Sequence, residues 1–206
     1  MDGFTGLKSA ATEELPGARV VMDPFHVVHL AGDALDEYCR RTGQELHHRR
    51  GRATDPLYKA RRMLQARSCL LTLRQQHRIL DLFASDCHVA LEVTWSVYQN
   101  IINAYRAPDT SAGKALMQAD INTLTFTRVP KNLTDLMTLG RTLTRRAGDI
   151  LAYFDHPHTT VGPTTAINCR LERLHGSGLG FRNLTHCIIR GFLETGVFKS
   201  QPHLKL

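Results

Sequence analysis

The chain has 206 residues, 42% of them hydrophobic and 22% charged, which supplies a core and argues against wholesale disorder. Its formal net charge of +7 favours a polyanionic partner, most simply a nucleic acid. No apolar run nears the roughly 18 residues that span a bilayer, and MDGFTGLKSAATEELPG at the start has no apolar h-region, so neither a membrane span nor a signal peptide is expected.

In chain order, residues 4–15 read as a short helix closed by the breaker Pro16-Gly17. Ala18-Arg19-Val20-Val21-Met22 is a β-branched run suited to a buried strand that ends on Asp23. From Phe25 the spacing turns helical, with Phe25, Val28, Leu35 and Tyr38 near one face and Val27, Leu30, Ala31 and Ala34 widening it. Helices are predicted over about 56–68, started by Thr54 or Asp55 before Pro56, and over about 69–84 and 87–106. Ala107-Pro108-Asp109 breaks the pattern before a segment at 111–125 and one long helix at about 132–154. A further helix starts near Pro163, the glycine-rich stretch 176–180 ends it, and a last helix covers about 181–194. Cys39, Cys69, Cys87, Cys169 and Cys187 form no CxxC pair and read as reduced thiols of a cytosolic protein.

One strand cannot make a sheet, so the chain reads as if it began in the middle of a domain. Asp2 sits where a carboxylate at the end of a preceding strand would stand in an α/β site. Asp23 is either a strand-end site residue or the cap of the helix behind it. His26 and His29 are three residues apart; His26 is expected to orient the aspartate region by hydrogen bonding. The cluster His47, His48, Arg49, Arg50, Arg52, Lys59, Arg61 and Arg62 is the best candidate for phosphate contact, with a solvated helix face as its plain alternative. Trp95, Tyr98 and Tyr105 read as core of the helices in preference to a base-stacking platform.

Two blocks carry a resemblance. The first is Met1-Asp2-Gly3-Phe4-Thr5-Gly6-Leu7-Lys8, with Glu14-Leu15-Pro16-Gly17-Ala18 and Val21-Met22-Asp23-Pro24-Phe25-His26-Val27-Val28 after it. The second is Gly162-Pro163-Thr164-Thr165-Ala166-Ile167-Asn168, followed by Arg170-Leu171-Glu172 and Leu179-Gly180-Phe181-Arg182-Asn183-Leu184-Thr185. Together they resemble transposases of the ISL-three insertion-sequence family, and Ala104-Tyr105-Arg106 and Leu151-Ala152-Tyr153-Phe154-Asp155 also fit.

The resemblance implies a mainly α chain with a small α/β part, an incomplete ribonuclease-H-like core carrying a large helical insertion. Residues 1–44 would be the core remnant, 45–160 the insertion, and 161–206 the helices that complete the core. It implies three carboxylates holding two divalent metals, Mg²⁺ or Mn²⁺, about 4 Å apart, and insertion-sequence ends as the DNA partner. Asp2 matches the second catalytic aspartate and Asp23 and His26 a D-x-x-H pair; in the other register Asp2 is the first and Asp23 the second. Both aspartates are therefore candidate metal ligands. Thr165 stands where the family has its catalytic glutamate, and a neutral hydroxyl does not replace a charged ligand. Glu172, two helical turns on, lies roughly 10 Å too far along to substitute. Arg170, Arg173, Arg182 and Arg190 would track DNA beside this block or pair with Glu172 and Glu194. The expectation is a carboxyl-terminal transposase fragment without cleavage activity, or a silent remnant that pairs with itself or with a full-length enzyme.

Overall fold

The computed structural model describes residues 19–48, 51–52, 54–85, 88–126, 133–157, 159, 162–177 and 183–195, with Ser9, Glu13, Glu14 and Gly17. The predicted helix over 4–15 falls largely outside these residues; Ser9, Glu13 and Glu14 are helical. The chain divides into two compact units, Met1–Thr159 and Thr160–Leu206.

The strand expected over 18–22 does not form: residues 19–22 belong to neither helix nor strand, and no strand occurs among the described residues. The β-branched signal reported burial, not pairing. Val21 and Met22 are buried, and the Met22 N–H donates to the Asp149 carbonyl at 2.9 Å, a helical partner in place of a neighbouring strand. The described part of the protein is therefore mainly helical.

Helix α1, Pro24–His47, starts because Asp23 is extended and its side chain accepts from the Phe25 N–H at 2.8 Å, with Pro24 at the first helical position. It stops at His48, which takes a left-handed φ of 50° while its N–H closes on the Gln44 carbonyl at 2.8 Å. Val27, Ala31, Leu35, Tyr38 and Thr42 recur every three to four residues and form its buried face. That face packs on α4 (Val89–Arg106) and α6 (Thr134–Arg145).

The short α2 (Pro56–Leu64) ends four residues earlier than its sequence pattern suggests. Helix α4 explains the stop. Trp95 Nε1 donates to the Leu64 carbonyl at 3.1 Å, the Tyr98 hydroxyl to Gln65 at 2.7 Å and Gln99 Nε2 to Ala66 at 3.0 Å. These side chains satisfy carbonyls that a helix end leaves without intrahelical partners. A 3₁₀ turn, Ser68–Leu70, follows, and α3 (Leu73–Phe83) opens with a Thr72–Gln75 capping box.

Helix α5 (Thr110–Phe126) begins at Asp109, whose carboxylate accepts from the Ser111 and Ala112 N–H groups. Gly113 lets it approach closely: a Cβ there would lie 2.5 Å from the Ala104 carbonyl oxygen and 2.8 Å from Phe154. The single helix expected over 132–154 is two, α6 and α7 (Ala147–Asp155), parted at Arg146 with φ −107° and ψ 11°. Arg146 is buried, and its guanidinium donates to Asp149 at 3.1 Å. Leu136, Leu139, Leu143, Ala147, Ile150 and Phe154 keep helical spacing through the break, so periodicity gives no sign of it.

In the second unit, α8 (Gly162–Ser177) and α9 (Leu184–Thr195) pack on each other, with Gly191 against Leu171. Asn183 caps α9 by accepting from the Thr185 N–H at 2.9 Å.

Candidate catalytic carboxylate and basic surface

Asp23, itself extended, directly precedes α1 and is only 4% exposed. Its carboxylate bonds the Phe25 N–H and its carbonyl accepts from His26 at 3.0 Å and Val27 at 3.3 Å, so both ends of the residue serve the first turn. The positive end of the helix dipole favours a negative charge in that place. Close by, Met22 meets Asp149 and Asp149 meets Arg146, which gathers buried charged groups near the start of α7. Tyr105 is partly buried in an aromatic group, stacked on Phe154 at 5.3 Å and edge-on to Tyr153 at 5.4 Å. Burial drives its hydroxyl pKa far up, with smaller pushes from Tyr153 and from Asp23, which puts the Asp23 charge in its neighbourhood.

His26 is half-buried and reaches Asp23 through its backbone N–H. His29 is turned to Asp33, Nδ1 to Oδ2 at 2.8 Å. Asp2 lies outside the described residues. Thr165 is exposed in the first turn of α8, and Glu172 is exposed further along the same helix. Among the described residues, no three His, Cys, Asp or Glu side chains come close enough to hold a metal ion.

Of the basic residues, Arg49, Arg50 and Arg182 lie outside the described set. Arg61 is engaged: its Nε donates to Asp36 Oδ1 at 2.8 Å and its Nη2 meets Asp36 Oδ2, tying α2 to α1. That hydrogen bond raises its already high pKa. Arg52 and Arg62 in the first unit, and Arg170 and Arg173 in the second, present exposed side chains. Cys39 is buried beneath the Arg61–Asp36 pair, and burial, helped by Asp36, pushes its thiol up to about 12; it is not a nucleophile. Trp95, Tyr98 and Tyr105 are core and clamp residues, as their spacing implied.

The pattern reading missed Arg146 and Asp149, because Arg145-Arg146 looks like any solvated helix face. It also gave no sign that His88, at the start of α4, is buried. No described helix is long and apolar enough to cross a membrane. A family profile described as Transposase, of the DDE ISL-three type, matches residues 1–191. No curated protein and no solved structure matches the chain.

Proposed function

Given that the chain belongs to the ISL-three family of DDE transposases, we propose that it engages insertion-sequence DNA in the cytoplasm with an incomplete set of catalytic carboxylates. Thr165 carries this reading. The block Gly162-Pro163-Thr164-Thr165-Ala166-Ile167-Asn168 aligns it with the family's glutamate, and its side chain is a neutral, exposed hydroxyl. Divalent metals, when bound, would activate an attacking hydroxyl and stabilise the leaving oxygen of a phosphodiester. Hard cations need several charged oxygens. Asp23 already accepts a helix N–H, Thr165 brings no charge, and Glu172 is two turns away. The described residues do not fit a complete two-metal centre.

On this reading residues 1–44 and 161–206 answer to the ribonuclease-H-like part and 45–160 to its helical insertion. Asp2, Asp23 and His26 mark the remaining catalytic positions. Arg52, Arg62, Arg170 and Arg173, with Arg49, Arg50 and Arg182, supply phosphate contacts, whereas Arg61 mainly holds α2 to α1. A second reading is a silent remnant that pairs with itself or with an intact transposase. It draws on Ile188, Ile189, Phe192 and Leu193, which α9 leaves exposed.

Incubated with DNA bearing terminal inverted repeats and Mg²⁺ or Mn²⁺, the chain is expected to leave both strands intact. Thr165→Glu is the variant in which a gain of cleavage would appear. Cleavage by the unaltered chain that either Asp2→Ala or Asp23→Ala abolishes would overturn the incomplete-site reading.

A further inference from the structure

Helices α2 and α3 pack against each other and leave a cleft of about 450 Å³ between them. Lys59 of α2 and Arg78 and Asp81 of α3 line it, and His88 lies against it from the start of α4. His88 is 8% exposed, yet its Nδ1 has no hydrogen-bond partner. It stands at the N-cap of α4 without making a side-chain cap bond, so its own helix does not engage the ring. A buried polar atom left bare is destabilising unless something enters to bond it. Pro56, the first residue of α2, also lines the cleft, which sets the positive end of that helix at its edge.

We propose that this cleft is a subsite for one phosphodiester of DNA, held by Lys59 and Arg78 and hydrogen-bonded at its depth by His88. The inference rests on the DNA reading above and names where on the insertion a backbone phosphate is seated. Lys59 and Arg78 against Asp81 leave a single positive charge, which suits the single negative charge of a diester better than a free phosphate. The Arg78 fork bonds phosphate oxygens in pairs, and Lys59 adds a point charge. Burial holds the His88 pKa below its ordinary value, so the ring is neutral when the cleft is empty at pH 7. A bound anion favours the imidazolium, as does Asp81, while Lys59 and Arg78 oppose it. The bound state therefore takes up protons more readily, and affinity rises as pH falls.

The test uses the full chain, a labelled duplex and two readouts. In anisotropy titrations across salt concentrations, Lys59→Ala with Arg78→Ala is expected to lower the slope of log affinity against log salt by about one, the value for one phosphate. Removing two exposed arginines of α6, Arg141→Ala with Arg145→Ala, is expected to leave the slope near the unaltered value; an equal loss would overturn the cleft. In ¹⁵N-histidine spectra, with His88 assigned through His88→Gln, duplex DNA is expected to shift the His88 ring signals. The same His88→Gln variant is expected to lose the gain in affinity between pH 7.5 and 6. DNA binding that leaves the His88 signals unmoved overturns the cleft while the transposase reading stands. No salt-sensitive DNA binding at all overturns both. His88 signals moved by inorganic phosphate but not by DNA would mark a free-anion site and overturn the diester assignment.

Discussion

Up to Thr159 the chain builds a core of fully buried large side chains, with Val27, Leu64, Leu91, Ile101, Met117, Leu143 and Ile150 all at or near zero exposure, although Phe25, Leu70, Leu73 and Leu80 stay outside it. Beyond it, α8 and α9 pack on each other yet leave Ile167, Ile188, Ile189, Phe192 and Leu193 exposed. The second block of the resemblance falls in this second unit, and Thr165, Ala166, Asn168 and Arg170 are all exposed there. Core packing does not dictate their identity. On the proposed reading, a threonine at 165 lacks a charge the chemistry needs while costing the fold nothing. In the first unit the reverse holds: Asp23, Arg146 and Asp149 are charged groups the helical packing itself uses.

The largest effect that separates the two regions is expected at Arg146. Arg146→Ala takes the guanidinium from the buried Asp149 and is expected to cost about 3–5 kcal/mol. Trp95, the single tryptophan, lies in the first unit, so urea unfolding followed by its fluorescence measures that unit. A loss below about 1 kcal/mol would show that the break between α6 and α7 does not depend on this residue.

Next is a matched pair of truncations. Leu143→Ala is expected to destabilise the first unit by about 2–5 kcal/mol. Ile189→Ala, on the exposed side of α9, is expected to leave the same tryptophan transition within about 0.5 kcal/mol. A comparable shift from Ile189→Ala would show that the two units unfold together and would break the comparison.

The smallest effect concerns pH. Burial raises the Asp120 pKa above its ordinary value, opposed by the Asn100 hydrogen bond. A carboxyl whose folded pKa is raised favours the folded state below its unfolded pKa, and that contribution is lost as pH rises through the folded value. Asp120→Asn is thus expected to stabilise slightly at pH 7, by less than about 0.5 kcal/mol once residual solvent exposure is counted. The gain should vanish near pH 3; a loss at pH 7 would reverse the assigned sign.

Much of the helical layout was legible in the sequence because it rests on local rules. Caps at Asp23, Thr72, Asp109 and Asn183 and the apolar stripe of α1 act over one or two turns. The proposed role of Thr165 rests on the sequence in another way: the residues around it set the register, and its lack of charge is a property of the side chain alone. The sequence by itself thus determined most of the segments that are helical. Only the tertiary structure decided that Val21 and Met22 bury without joining a sheet, that α2 stops at Leu64, and that His88 lines the cleft between α2 and α3. Each depends on groups distant in the chain, such as the Asp149 carbonyl for Met22 and the Trp95, Tyr98 and Gln99 side chains for α2. A local pattern records which surface of a segment is apolar; it does not record which polar groups arrive from elsewhere to meet its unpaired atoms.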